Sequence, residues 1–291
     1  MLVLTEVVNF GIYLHLYYSR IFIVSGTLCI FASLCYSQPL YLTLSGKHQT
    51  NMTDTTLLKA LTEAGLGSRR KMTDAIKNGK VSVNGTIAEN FRQPVNIESD
   101  RILFDGRPVK LKAEQIVYLM LNKPDGLLCT TSDDRGRRTI LDILPEMYRH
   151  LRLYPVGRLD LDSTGLLILT NDGALTYQLT HPKFEHEKEY LVQIEGALQA
   201  KERQNLERGV RLDDGMTAPA LIKEVRSTPP YNYSLTIHEG KKRQIRRMFA
   251  HLGYRVLALK RIRMGSLTLG NLKEGQTRQL TAREVKSLLN G

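Results

Sequence analysis

Cysteine is scarce in this chain of 291 residues. Its three cysteines, Cys29, Cys35 and Cys129, are too few and too scattered for a disulfide framework or a cysteine-rich zinc site. Also missing is a glycine loop followed by Lys-Ser or Lys-Thr, which argues against a P-loop nucleotide site. The seven histidines include no His-Glu-x-x-His pair, and the chain has neither a Gly-x-Ser-x-Gly elbow nor a dinucleotide fingerprint. The expectation is a reduced, cytoplasmic protein without cofactor or metal.

Charge is missing from one place in particular. No Asp, Glu, Lys or Arg occurs from Ile21 to Gly46, and residues 1–51 hold only Glu6, Arg20 and Lys47. That length is near the roughly 20 apolar residues that span a bilayer. A secretory signal fits poorly, because its basic region would be Arg20 alone and no small-x-small cleavage site follows. A membrane anchor is one reading of residues 1–52. The favoured one is a leader ahead of a start at Met52, since a compact basic module begins directly afterwards.

Elsewhere charge is plentiful and mostly positive. Lys and Arg number 41 against 29 Asp and Glu, a formal net charge of +12. An excess of that size speaks of partners rather than fold, and favours nucleic acid or an acidic membrane surface. With 42% hydrophobic residues the chain has enough apolar matter for two cored domains.

The first module covers 53–113. Leu57, Leu58 and Leu61 have helical spacing, with Gly65 placed to stop the helix. Ser68 is placed to cap a second helix, Arg69 to Asn78, with Met72, Ala75 and Ile76 inward. Val81 and Val83 alternate as a strand, and Asn84-Gly85 favours a tight hairpin. Arg69, Arg70, Lys71, Lys77 and Lys80 crowd the second helix with only Asp74 among them, which favours phosphate contact over a merely solvated face.

The second unit, 114–291, reads as strands at Val117–Leu121, Leu166–Thr170, Glu189–Ile194, Tyr233–His238 and Arg255–Leu259. Helices are expected at Leu175–Leu179, Ala200–Arg208 and Arg243–Leu252. The absence of a regular strand–helix repeat argues for an α+β fold over a doubly wound sheet.

Two segments carry candidate chemistry. In Tyr154-Pro-Val-Gly-Arg-Leu-Asp160-Leu-Asp162, Gly157 allows an unusual backbone angle, and extended geometry would put Arg158 and Asp160 on one face. A cation beside a carboxylate keeps it ionised, as a nucleophile or base requires. An ordinary loop salt bridge is the bland alternative, and a metal pair at Asp160 and Asp162 a weaker one, with no third ligand near. In the other segment, Ile245, Met248, Phe249 and Leu252 form a helical core face. Lys241, Lys242, Arg243, Arg246 and Arg247 gather at the same helix's start, against the dipole at roughly 0.3–1 kcal/mol each. A helix that tolerates this is expected to meet an anion there.

Four motifs then occur in order: Asn122-Lys-Pro-x-Gly126, Gly157-Arg-Leu-Asp160 with Ser163-x-Gly-Leu-Leu, Lys188-Glu-Tyr190, and Arg243-Gln-Ile-Arg-Arg-Met248. Together they resemble the RsuA-type bacterial ribosomal RNA pseudouridine synthases, over about residues 53–289, and the N-terminal module resembles an S4 RNA-binding domain. The resemblance implies a pseudouridine synthase catalytic domain, built on a mainly antiparallel mixed sheet with flanking helices. By the same likeness Asp160 is the essential carboxylate and Tyr190 packs on the target base and helps remove its C5 proton. Arg246 pairs with the aspartate, and Asn122, Lys123 and Pro124 support the site. Arg69, Arg70, Lys71, Lys77 and Lys80, and in the second domain Arg158, Lys241, Lys242, Arg243 and Arg247, would then contact RNA. The partner implied is ribosomal RNA, 23S ahead of 16S, met by a monomer that needs no cofactor. One departure is the first S4 helix, which reads Thr55-Thr-Leu-Leu58 with Lys59 as its only cation. The alternative is a non-catalytic, ribosome-associated S4 protein.

Overall fold

The computed structural model describes residues 20–24, 27–31, 54–110 and 115–290. Of the leader, Arg20–Val24 and Thr27–Phe31 pair as antiparallel strands. Among the described residues no helix is long and apolar enough to cross a membrane. The remainder of the expected leader lies outside them.

The basic module forms as its sequence dictates. Helix α1 is Leu57–Glu63 and α2 is Arg69–Lys77. Ser68 Oγ accepts from the Lys71 amide at 3.1 Å, the expected cap. Gly65 and Gly79 stop the two helices with φ of +76° and +69°. Val81–Val83 and Thr86–Ile87 close a hairpin over Asn84 (φ +52°) and Gly85 (φ +86°), the geometry that favours this dipeptide. Ile102–Phe104 and Arg107–Pro108 extend that sheet to four strands. Leu57, Leu61, Met72 and Ile76 are buried with Val81 and Ile102 in a small core of their own. Each full side chain buried there contributes about 1.5–3 kcal/mol.

The second unit is a nine-stranded sheet. Its main order is Leu221–Glu224, Tyr233–Ile237, Lys188–Ile194, Val256–Met264, Thr164–Thr170, Tyr118–Lys123, Thr277–Gln279. Tyr154–Val156 and Leu267–Thr268 pair off that path. Pairing is antiparallel except between Thr164–Gly165 and Lys260–Arg261. Apolar residues on alternate positions supply a core to each face: Leu119, Leu121, Leu167, Leu169 and Val192 on one, Met120, Leu166, Ile168 and Met264 on the other. The five expected strands and three expected helices are present with ends moved by a few residues, so the α+β reading holds.

The remaining helices are α3 (Glu146–Arg149), α4 (Gly173–Thr180), α5 (Ala200–Arg208), α6 (Gln244–His251) and α7 (Ala282–Leu289). The first face packs on α6 through Ile245, Met248 and Phe249. The second packs on α4 through Leu175 and Leu179, and on α7 through Leu288. A bond between the two units is made by Arg152, whose Nη1 donates to the Thr62 carbonyl, at the end of α1, at 2.8 Å.

Candidate active site

One transverse row of the sheet carries four informative residues. Lys123 pairs with Gly165, Gly165 with Arg261, and Arg261 with Tyr190. Gly165 must lack a side chain: a Cβ there would fall 2.1 Å from the Arg261 carbonyl oxygen, and its φ is +101°. The glycine thus lets the parallel Gly165 and Arg261 strands approach closely between the Lys123 and Tyr190 strands.

The loop bearing Asp160 is held over this row by backbone contacts. Lys123 is fully buried, and its Nζ donates to the carbonyls of Ser163 (2.8 Å), Pro124 (3.0 Å) and Leu161 (3.1 Å). The Gly126 amide donates to the same Leu161 carbonyl at 3.1 Å. From the other side the Leu159 amide donates to Cys129 Sγ at 3.4 Å, and Ser163 N to Asp160 O at 3.1 Å closes a turn. Gly157 enters the loop at φ +72°. Asn122-Lys-Pro-Asp-Gly126 is therefore a cradle for the aspartate loop. Burial lowers the Lys123 ammonium from its ordinary pKa, opposed by Cys129, Asp125, Asp162 and Asp160. No carboxylate touches it; its partners are backbone dipoles.

Asp160 itself is one-third exposed, with Arg243 Nη1 3.9 Å from Oδ2. Two expectations change here. Arg158 is exposed and, with Leu159 buried between them, shares the outer side of the segment with Asp160, but the cation in ion-pair range of Asp160 is Arg243. Arg246 does not reach Asp160 either: its Nη2 donates to the Asp162 carbonyl at 2.7 Å and lies 3.3 Å from the Asp162 carboxylate. Its Nη1 donates to the Val256 carbonyl at 3.0 Å. The reason is local. Arg243, in the left-handed region at φ +49°, caps α6 and turns its guanidinium towards the loop, whereas Arg246 lies one turn further on.

The cations of α6 do meet anions, but anions of this protein. Arg243 holds Asp162 with two bonds of 3.1 and 3.0 Å, and Arg247 holds Asp214 with two of 2.9 Å. Burial pushes the Asp162 carboxyl up, yet the Arg243 bonds and the charges of Arg246 and Arg243 outweigh it and hold it below the usual range. Lys241 Nζ donates to the carbonyls of Met216 (2.7 Å) and Asp214 (3.3 Å). Lys242 stays exposed. Arg69, Arg70, Lys71 and Lys77 on α2 are exposed too, and Lys80 lies 3.7 Å from Asp105.

Tyr190 is buried on the row, 8% exposed. Two neighbours were not singled out from the sequence. Arg261 is buried, 2% exposed, donating from Nε to the Leu166 carbonyl at 2.7 Å, and its Nη2 has no partner among the described residues. Gln244 accepts from the Lys241 amide (3.0 Å) and donates to Glu239 (2.6 Å), fixing the entry to α6. Its apolar neighbours Ile245, Met248 and Phe249 give no sign that a polar residue is buried among them. Among the described residues no group of His, Cys, Asp and Glu is placed to hold a metal. The metal-pair alternative for Asp160 and Asp162 has no third ligand, and Asp162 is taken by arginine.

Sequence models match this arrangement in two places: RNA pseudouridylate synthase over residues 117–251, and the S4 domain over residues 55–102. A ribosomal large subunit pseudouridine synthase B of Bacillus subtilis is 42% identical over 80% of this chain and 94% of its own length. The chain belongs to the RNA pseudouridine synthases. An RNA pseudouridine synthase of Aquifex aeolicus is 37% identical over 81% of this chain and 94% of its own. A crystal structure of a pseudouridylate synthase, 34% identical, superposes with a TM-score of 0.57, covering 80% of this chain and 99% of that one. As a family member this protein is an isomerase acting on RNA, with an S4 domain ahead of its catalytic sheet.

Proposed function

We propose that this synthase converts one particular uridine of large-subunit ribosomal RNA to pseudouridine, with Asp160 as the reacting carboxylate, acting as a monomer in the cytoplasm. The observation that carries the reading is the cradle. The Asp160 carboxylate, one-third open to solvent, sits on a loop whose backbone is held at Leu161 by Lys123 and Gly126, beside the cation-bearing start of α6. An open, positively bordered carboxylate suits a substrate that is part of a macromolecule. The kinship with large-subunit enzymes such as that of Bacillus subtilis supports the choice of RNA.

The reaction breaks the N1–C1′ bond, turns the base and forms a C5–C1′ bond. N1 gains a proton and C5 loses one, so no electrons or groups are exchanged with a third molecule. Asp160 acts on the uridine to release the base, with the Arg243 guanidinium 3.9 Å from its carboxylate. Tyr190, on the row beneath, bears against the base and assists loss of the C5 proton. A stacked uridine is out of reach, so it must be everted, at a cost of a few kcal/mol that phosphate contacts offset. Lys242, Arg158 and the exposed cations of α2 are among the groups open for such contacts.

The test is release of tritium from 5-tritiated uridine in transcribed ribosomal RNA. Asp160→Asn is expected to bind the RNA as the wild type does and to release none. Near-normal turnover by that variant removes Asp160 from the chemistry. Mapping pseudouridine in ribosomal RNA with and without the gene identifies the nucleotide; a change confined to the small subunit defeats the large-subunit reading.

A further inference from the structure

The connection between α4 and the Tyr190 strand carries side chains for which the reaction has no use. Tyr177 on α4, His181 at its end and Phe184 in the 3-10 turn Pro182–Phe184 bring their rings together. Ring centres lie 4.8 Å apart for Tyr177–His181, 6.0 Å for Tyr177–Phe184, edge-on, and 6.3 Å for His181–Phe184. Lys183 Nζ stands 4.6 Å from the Phe184 ring centre and 5.2 Å from that of Tyr177. The cluster is open: Tyr177 is 50% and Phe184 37% exposed, and every residue from Thr180 to Glu185 is exposed. Rings that served only to close the end of α4 would bury the surface they pack with; these leave it in water at an apolar cost.

Their position is fixed relative to the reaction on two sides. Thr180 Cγ2 lies 3.7 Å from where a Cβ on Gly157 would stand, at the entry to the Asp160 loop. The His186 carbonyl accepts from Lys188 Nζ at 3.0 Å, two residues before Tyr190. Phe184 and Tyr190 are thus six residues apart, at most roughly 20 Å of chain. The one acid within the segment, Glu185, turns to His238 Nδ1 at 4.0 Å.

We propose that Tyr177, His181 and Phe184, with Lys183 above them, form a stacking platform for an unpaired nucleobase of the RNA that flanks the uridine to be modified. The inference rests on the RNA-modifying reading and extends it to substrate choice. An aromatic face accepts any base, so the platform selects for an unstacked neighbour, as in a loop or bulge, rather than for a sequence. The ammonium of Lys183 takes the adjoining phosphate.

The test uses full-length protein and two probes. One is a short fluorescein-labelled oligoadenylate, which holds no uridine and reads binding without the reaction; the other is tritiated large-subunit transcript. The variant Tyr177→Ala with Phe184→Ala is expected to weaken the oligoadenylate Kd about tenfold or more. KM for the transcript should rise in parallel, with kcat at saturation unchanged. Tyr177→Phe keeps the ring and keeps the affinity. Lys183→Glu, which touches no core residue, weakens both probes and lowers the slope of affinity against salt. Unchanged Kd and KM in the double alanine variant, or an equal loss in Tyr177→Phe, overturns the platform. Should wild type release no tritium from the large-subunit transcript while the alanine pair still weakens oligoadenylate binding, the platform stands and the large-subunit target alone falls.

Discussion

Lys123 shows how much one side chain can do without touching substrate. Its ammonium donates to three carbonyls, those of Leu161 and Ser163 in the Asp160 loop and of Pro124 beside it. Lys123→Met fills the same stem volume but strands those acceptors. It is expected to lower stability by on the order of 2 kcal/mol in chemical unfolding and to reduce kcat far more than it alters RNA affinity. Lys188 makes a second case. Burial, helped by Arg261, pushes its pKa down to about 8, while Glu239 opposes the fall. The unfolded chain therefore holds more protons than the folded one between about pH 8 and the ordinary lysine range near 10.4, so this group makes stability rise with pH across that window. Lys188→Met is expected to flatten that rise in unfolding measured from pH 8 to 10, with less change below. At this scale the sequence reading was stronger on which residues gather than on how they pair. It singled out Asp160, the arginines of α6 and the Asn122-Lys123-Pro124 motif, and the structure brings these together. It assigned the aspartate's neighbour to Arg158 or Arg246, because the left-handed backbone of Arg243 is not visible in side-chain spacing.

Strands and helices with strong apolar periodicity were legible as elements. The Thr164–Thr170 strand and α6 advertise themselves because burial imposes a period of two or 3.6 on their composition. Short elements were not read: Thr277–Gln279 is a three-residue edge strand, and α3 is a single turn. The order of the sheet was also beyond reach, since it depends on pairings such as Gly165 with Arg261 between strands nearly a hundred residues apart. That pairing has its own test. Gly165→Ala puts a methyl against the Arg261 backbone at a φ that alanine avoids. Expected are a large fall in melting temperature and loss of turnover, whereas Gly126→Ala, with open space around it, costs only its backbone angle and leaves a folded protein.

For the molecule as a whole, positive charge is spread over two units joined by a short segment and braced by Arg152 on Thr62. The exposed cations of α2 are free to meet phosphate. Replacing Arg69, Arg70 and Lys71 with alanine together is expected to reduce the slope of log affinity against log salt by about 2, with kcat at saturating RNA retained. A slope that stays put would locate the RNA elsewhere. The catalytic unit behaves differently, because Arg243, Arg246 and Arg247 are closed onto Asp162 and Asp214. A phosphate arriving there trades places with a carboxylate already in residence, so a bare polyanion gains little by entering.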